Sequence, residues 1–203
     1  STSTYAIYWS SHSDNVSITE NTITNGGFYL SDMGYNKGTY DISRNTLQGD
    51  NAYIYFYGYS GRSENNQGSW VKIDDNIIKN VSSSAYDSIY VERAYGDVSI
   101  SNNVLDNLST SFYKIRFYNS ENYPNTLKID NNTISSKRDG MYVSHSKGLD
   151  NVSIANNKIS RDQTSTSCCY YGVKAYYLSG VIENNEISDF AGGVYLEGSF
   201  DYP

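Results

Sequence analysis

The sequence predicts an all-β solenoid, a stack of similar coils, and three observations predict it. A six-residue pattern occurs seven times, as ITENTI (Ile18–Ile23), ISRNTL (Ile42–Leu47), IDDNII (Ile73–Ile78), ISNNVL (Ile100–Leu105), IDNNTI (Ile129–Ile134), IANNKI (Ile154–Ile159) and IENNEI (Ile182–Ile187). A second pattern, an apolar–polar–apolar triplet, alternates strictly with it in eight copies. Apolar residues recur at alternate positions over short runs, the period of a half-buried strand, and no segment keeps helical spacing. Self-similarity at a 20–50 residue period marks a repeat architecture.

In every copy of the first pattern, motif B, an Ile is followed three positions later by Asn and five positions later by Ile or Leu. The Asn residues are Asn21, Asn45, Asn76, Asn103, Asn132, Asn157 and Asn185, spaced 24, 31, 27, 29, 25 and 28 apart. A constant core with variable gaps is what coils joined by loops of different length produce. A bend in the strand turns backbone N–H and C=O groups inward, where they need partners. An amide carries both donors and an acceptor, so identical Asn residues stacked coil on coil can bond up the column and to the bend. The Asn column therefore reads as structural.

Motif A reads AIYWS (Ala6–Ser10), GFYLS (Gly27–Ser31), YIYFY (Tyr53–Tyr57), SIYVE (Ser88–Glu92), KIRFY (Lys114–Tyr118), GMYVS (Gly140–Ser144), GVKAY (Gly172–Tyr176) and GVYLE (Gly193–Glu197). Period-2 alternation sends Ile7, Phe28, Ile54, Ile89, Ile115, Met141, Val173 and Val194 inward, and with them the residues two further on, from Trp9 to Leu196. Each coil thus takes one strand from A and one bent strand from B, with a third short strand expected in the linkers. Parallel strands lie about 4.8 Å apart, so seven and a half coils make a rod roughly 35 Å long.

Repeats of the form VSIxNNxI in coils of 24 to 31 residues resemble the right-handed parallel β-helix superfamily, and the resemblance covers residues 5 to 198. That superfamily holds pectate lyases, polygalacturonases, NosD-type proteins, tailspikes and many surface proteins. The resemblance implies an all-β right-handed parallel β-helix of about seven coils with an internal Asn ladder. It is specific for fold and nearly silent on function. Residues 1–203 read as one such domain, uncapped at both ends. No amphipathic helix or charged cap precedes Tyr5 or follows Gly198, so bare end coils would meet head to tail in copies of the chain and build a filament. Because the chain opens inside the repeat pattern, it reads as a processed mature chain or an excised piece of a longer one.

The 203 residues carry a formal charge of −7, which argues against a nucleic-acid partner. No apolar run is long enough to span a membrane. A chain rich in Ser, Asn, Thr and Tyr, with two Cys and two Pro, reads as extracellular or cell-surface. Candidate glycosylation sequons lie at Asn15, Asn80, Asn107, Asn131 and Asn151. Cys168 and Cys169 are adjacent, and neighbours seldom bridge to each other. They read as one buried thiol and one loop thiol, or as an intermolecular disulfide. The long polar linkers, Gly58–Trp70 and Ser160–Tyr171, are expected to bulge from the rod.

In the resembled lyases catalysis sits on the outer face, with calcium-binding acids and an Arg or Lys base, and in the hydrolases several Asp cluster on adjacent coils. Neither arrangement is legible here. The outward column Thr19, Ser43, Asp74, Ser101, Asp130, Ala155, Glu183 places its carboxylates two coils apart, about 9.6 Å, too far to share a proton or one ion. The column Glu20, Arg44, Asp75, Asn102, Asn131, Asn156, Asn184 reads as a surface ion-pair ladder. His12 and His145 lie on different coils. No catalytic residue, metal ligand or cofactor is assigned.

The most informative outward column is the middle of motif A: Tyr8, Tyr29, Tyr55, Tyr90, Arg116, Tyr142, Lys174 and Tyr195. Ladder stacking between coils, with the two cations set against neighbouring rings, is one account of it. Stacking on sugar rings and packing against another copy of the protein are the others. The sequence therefore predicts a non-catalytic extracellular structural protein, a β-solenoid subunit that self-assembles into a surface filament, sheath or layer. Its partners would be other copies of itself, head to tail or side by side. The alternative is a polysaccharide-binding or polysaccharide-cleaving, lyase-like module of a larger extracellular protein.

Overall fold

A computed structural model describes residues 5–10, 15–33, 38–58, 69–81, 87–106, 113–119, 126–162 and 169–198. It contains twenty strands, every strand pair is parallel, and no helix occurs among the described residues. Three walls wind around one lumen. Wall A is built by motif A: β1 (Tyr5–Ser10), β4 (Gly27–Met33), β7 (Ile54–Gly58), β10 (Ile89–Glu92), β13 (Ile115–Asn119) and β20 (Gly192–Glu197). The front half of motif B gives the second wall, β2 (Asn15–Thr19), β5 (Thr39–Ser43), β8 (Ser69–Asp74), β11 (Gly96–Ser101) and β14 (Leu127–Asp130). Two long strands, β16 (Met141–Ala155) and β18 (Tyr171–Glu183), run through the corner and belong to both walls, which makes them one thirteen-stranded sheet.

The third wall is a seven-stranded sheet: β3 (Thr22–Thr24), β6 (Thr46–Gln48), β9 (Ile77–Lys79), β12 (Val104–Asp106), β15 (Thr133–Ser136), β17 (Lys158–Arg161) and β19 (Glu186–Ser188). The third strand of each coil therefore comes from the back half of motif B itself, and not from a linker. The break between the halves falls on one residue per coil with a left-handed backbone. Glu20, Arg44, Asp75, Asn102, Asn131, Asn156 and Asn184 have φ between 54° and 62°. Asn visits this region at lower cost than other side chains, so this column has a backbone reason for its Asn content. Of the expected ion-pair ladder, Arg44 and Glu20 make an exposed contact at 3.0 Å.

The bend presents its backbone to the lumen, and the Asn column meets it. Asn45, Asn76, Asn103, Asn132 and Asn157 are at most 1% exposed. Each Oδ1 accepts the backbone N–H and the side-chain NH2 of the Asn one coil earlier, as Asn103 does from Asn76 at 3.0 Å for both. Each NH2 also donates to the Ile carbonyl of the preceding coil, as from Asn103 to Ile73 at 2.9 Å. Asn21 and Asn185, at the two ends, are half-buried.

Apolar side chains fill the lumen. On wall A, Phe28, Leu30, Ile54, Ile89, Val91, Ile115, Phe117, Met141, Val143 and Val173 have no exposed surface. Full burial stabilises by about 1.5–3 kcal/mol for each such side chain. Ile7 is half-buried, and Trp9, Val194 and Leu196 are exposed in the first and last A strands. The corner where wall A begins is tight: a Cβ on Gly140 would lie 2.5 Å from the Gly172 carbonyl and 2.6 Å from the Ile159 side chain.

Candidate functional site

The outer face of wall A carries the chemistry. Backbone pairing lines up Tyr8, Tyr29, Tyr55, Tyr90, Arg116, Tyr142, Lys174 and Tyr195 coil after coil. Tyr8 is 59% exposed, Tyr55 is buried, and the others are half-buried. The strip is thus less open than alternation alone implies, because its side chains cover one another.

Its two halves differ. In the first, Tyr8, Tyr29 and Tyr55 stack with centroids 5.6 and 4.8 Å apart and planes within 28°. Ring faces are consumed by neighbouring rings, so the surface offered outward is ring edge and hydroxyl. Tyr90 then meets Tyr55 edge-on at 5.0 Å. Burial and the Glu92 carboxylate push both the Tyr55 and Tyr90 phenols up, so both stay protonated.

The second half is ionic. The Arg116 guanidinium lies 4.7 Å from the Tyr90 ring centroid and 5.6 Å from that of Tyr142, and the Lys174 ammonium lies 5.3 Å from that of Tyr171. Each cation is anchored by an Asp one coil earlier. Asp139 accepts the Tyr171 backbone N–H at 2.7 Å with one oxygen and pairs with Lys174 at 3.1 Å with the other. Asp87 treats Tyr113 N–H (3.0 Å) and Arg116 (3.7 Å) in the same way, two coils away. Both carboxylates are nearly buried. Burial raises the pKa of Asp87, and the Tyr113 amide and the Arg116 charge oppose that rise.

Behind this row sits Lys114, with no exposed surface, in the corner column that holds Ser88, Gly140 and Gly172. Desolvation pushes its ammonium down to about 8, against the pull of Asp87 and with help from Lys137 and Arg138. Reading the sequence from the strand centres missed Asp87, Asp139 and the burial of Lys114. A signal for the Asp residues was present: Asp87-x-x-Tyr90, Tyr113-x-x-Arg116, Asp139-x-x-Tyr142 and Tyr171-x-x-Lys174 alternate over four coils.

The other sequence candidates fall apart from this face. Asp74 and Asp130 lie two coils apart, each tied to the Lys of its own strand, Lys72 at 3.3 Å and Lys128 at 3.2 Å. They also accept side-chain bonds from Asn102 and Asn156, respectively. Among the described residues no group of three His, Cys, Asp or Glu side chains converges to hold a metal ion. His145 is buried, and Cys169 is exposed with φ 76°. Of the sequons, Asn15, Asn80, Asn131 and Asn151 are exposed. Asn107, His12, Cys168 and most of the two long linkers lie outside the described residues.

Among the described residues no helix is long and apolar enough to cross a membrane. Comparison with curated proteins and with solved structures gives no match. A family model does: the right-handed beta helix region matches residues 87–201, more than half of the chain. With three parallel walls wound around one lumen, the chain belongs to the right-handed β-helix family.

Proposed function

We propose that this protein is a non-catalytic structural β-solenoid of the cell exterior, and that the outer face of wall A is where it packs against another copy of itself. The carrying observation is the way the strip's groups are already committed. The rings of Tyr8, Tyr29 and Tyr55 stack on each other, and Arg116 and Lys174 are held by Asp87 and Asp139. Sugar recognition by stacking needs open ring faces. A run of ring edges, hydroxyls and fixed cations instead has the amphipathic make-up of a protein interface, where Tyr and Arg are enriched. Sedimentation tests this: the wild type should run as assemblies that fall to monomer when Tyr29, Tyr90 and Tyr142 are replaced by Ser. A wild type that stays monomeric over the whole accessible concentration range would refute it.

A second reading, an acidic-polysaccharide-binding module, is favoured by one observation. Arg116 and Lys174 point from the same strip two coils apart, each fixed from behind. Retardation in gels containing a uronan, lost in Arg116→Gln with Lys174→Gln, would put that reading first.

A further inference from the structure

We propose that Tyr195, with Glu197, is an oxidative coupling site that forms a carbon–carbon bond to the neighbouring tyrosine Tyr176 when the protein meets a one-electron oxidant. Three features converge on Tyr195. Its hydroxyl donates to Glu197 Oε2 at 2.7 Å on an exposed strand end, so the phenolic proton has an acceptor at hand. Two rings lie beside it, Tyr176 at 5.7 Å and Tyr171 at 5.2 Å between centroids. The surrounding tyrosines are also harder to oxidise. Arg116 stands over the rings of Tyr90, Tyr113 and Tyr142, and Lys174 over Tyr171. A nearby positive charge opposes removal of an electron from a ring. Tyr176 and Tyr195 are ring neighbours, and among the described residues no such cation stands over either.

Tyr55 makes a comparable bond to Glu92 at 3.3 Å, but it is 8% exposed and sheltered from a diffusing oxidant. The Tyr195 phenol is pushed up by its bond to Glu197 and by that carboxylate's charge. It therefore stays protonated near neutral pH, and its oxidation must release a proton, which Glu197 receives.

The step balances as follows. The oxidant takes one electron from each of two phenols, and each loses its O–H proton, giving two phenoxyl radicals. Their ortho carbons join, and the two ring hydrogens at those carbons move through solvent to the oxygens, restoring both phenols. The protein loses two electrons and two protons in all, and two equivalents of oxidant are reduced.

The test uses the whole chain at a dilution where it sediments as monomer, so that coupling within one chain is read apart from any association between copies. Photogenerated tris-bipyridyl ruthenium(III) is the oxidant. Dityrosine fluorescence and mass spectrometry of coupled peptides, two hydrogens lighter than their sum, are the readouts. Coupled peptides should join Tyr195 to Tyr176 several-fold more often than an even spread over the 22 tyrosines allows. Tyr195→Phe should remove them, and Glu197→Gln should slow their formation several-fold while leaving the circular dichroism and melting midpoint unchanged. Coupling in folded protein that is spread evenly, or a Glu197→Gln rate equal to wild type, would overturn the proposal.

Discussion

Replacing Asn103 by Ala tests the internal column where the structure makes its consequences countable. The side chain accepts the backbone N–H and the side-chain NH2 of Asn76 and donates to the Ile73 carbonyl, the Ser101 carbonyl and the Asn132 Oδ1. Three of the bonded groups keep another partner. Ser101 O still accepts the Asp75 N–H, Asn132 Oδ1 still accepts the Asn103 N–H, and the Asn76 amide still donates to Ile42. The Asn76 N–H has no such substitute and is left bare in a fully buried position. An orphaned buried donor costs about 1–3 kcal/mol, and the bond lost at Ile73 adds about 1 kcal/mol, giving about 2–4 kcal/mol in all. Asn21→Ala is the control. It gives up bonds to the Thr19 carbonyl and Asn45 Oδ1, but the latter keeps the Asn21 N–H. No group on the half-buried end coil is orphaned, and the expected loss is below about 1 kcal/mol. Urea unfolding at fixed pH reads both as shifts of midpoint at constant slope. Equal losses for the two variants, or less than about 1 kcal/mol for Asn103→Ala, would refute the accounting.

Lys114→Met should flatten the stability–pH curve. With its folded pKa at about 8, below the ordinary lysine value of 10.5, the lysine contributes stability that is present above pH 10.5 and lost as pH falls through 8. The loss is about 3 kcal/mol by pH 7. Urea midpoints of the wild type should rise between those pH values and those of the variant should not; a slope that survives the substitution would show that another group titrates. Asn102→Ala should cost about 1 kcal/mol and Asn102→Gly much less, because the position is left-handed; equal midpoints would contradict the backbone account of that column. Incubation with pectate or alginate, with and without calcium, should release no unsaturated or reducing ends, and measured turnover would defeat the non-catalytic reading.

Much of the coil was legible because two periods are superposed. Alternation fixed the faces of wall A, and the middle residues from Tyr8 to Tyr195 pair in the order that their motifs stand in the chain. The third wall was not legible, since its boundary is a change of φ at residues such as Arg44 and Asn102, and Arg44 is no common marker of a left-handed turn. Asp87 and Asp139 stayed hidden for another reason. They lie three residues ahead of each strand centre, and their partners are one coil on, across linkers of unequal length. Tyr55 was placed on the correct side but not at the correct depth, because its cover comes from neighbouring rings, which alternation cannot report.

The Asn column also settles what a change in length would do. Every interior Asn offers the same donors to one side and the same acceptor to the other, so the faces above and below any coil are interchangeable. Excising one whole coil, from a left-handed residue to its counterpart, would bring matching groups together with no new orphan. The rod can therefore be shortened or extended in steps of about 4.8 Å without redesigning its interior. The strip on wall A lacks that freedom: Asp87 needs Arg116 on the next coil and Asp139 needs Lys174. Removing one coil there would set an acid against a tyrosine or leave a cation without its acid. Loss or gain of coils should be tolerated singly among the first three, and only in pairs among the ionic four.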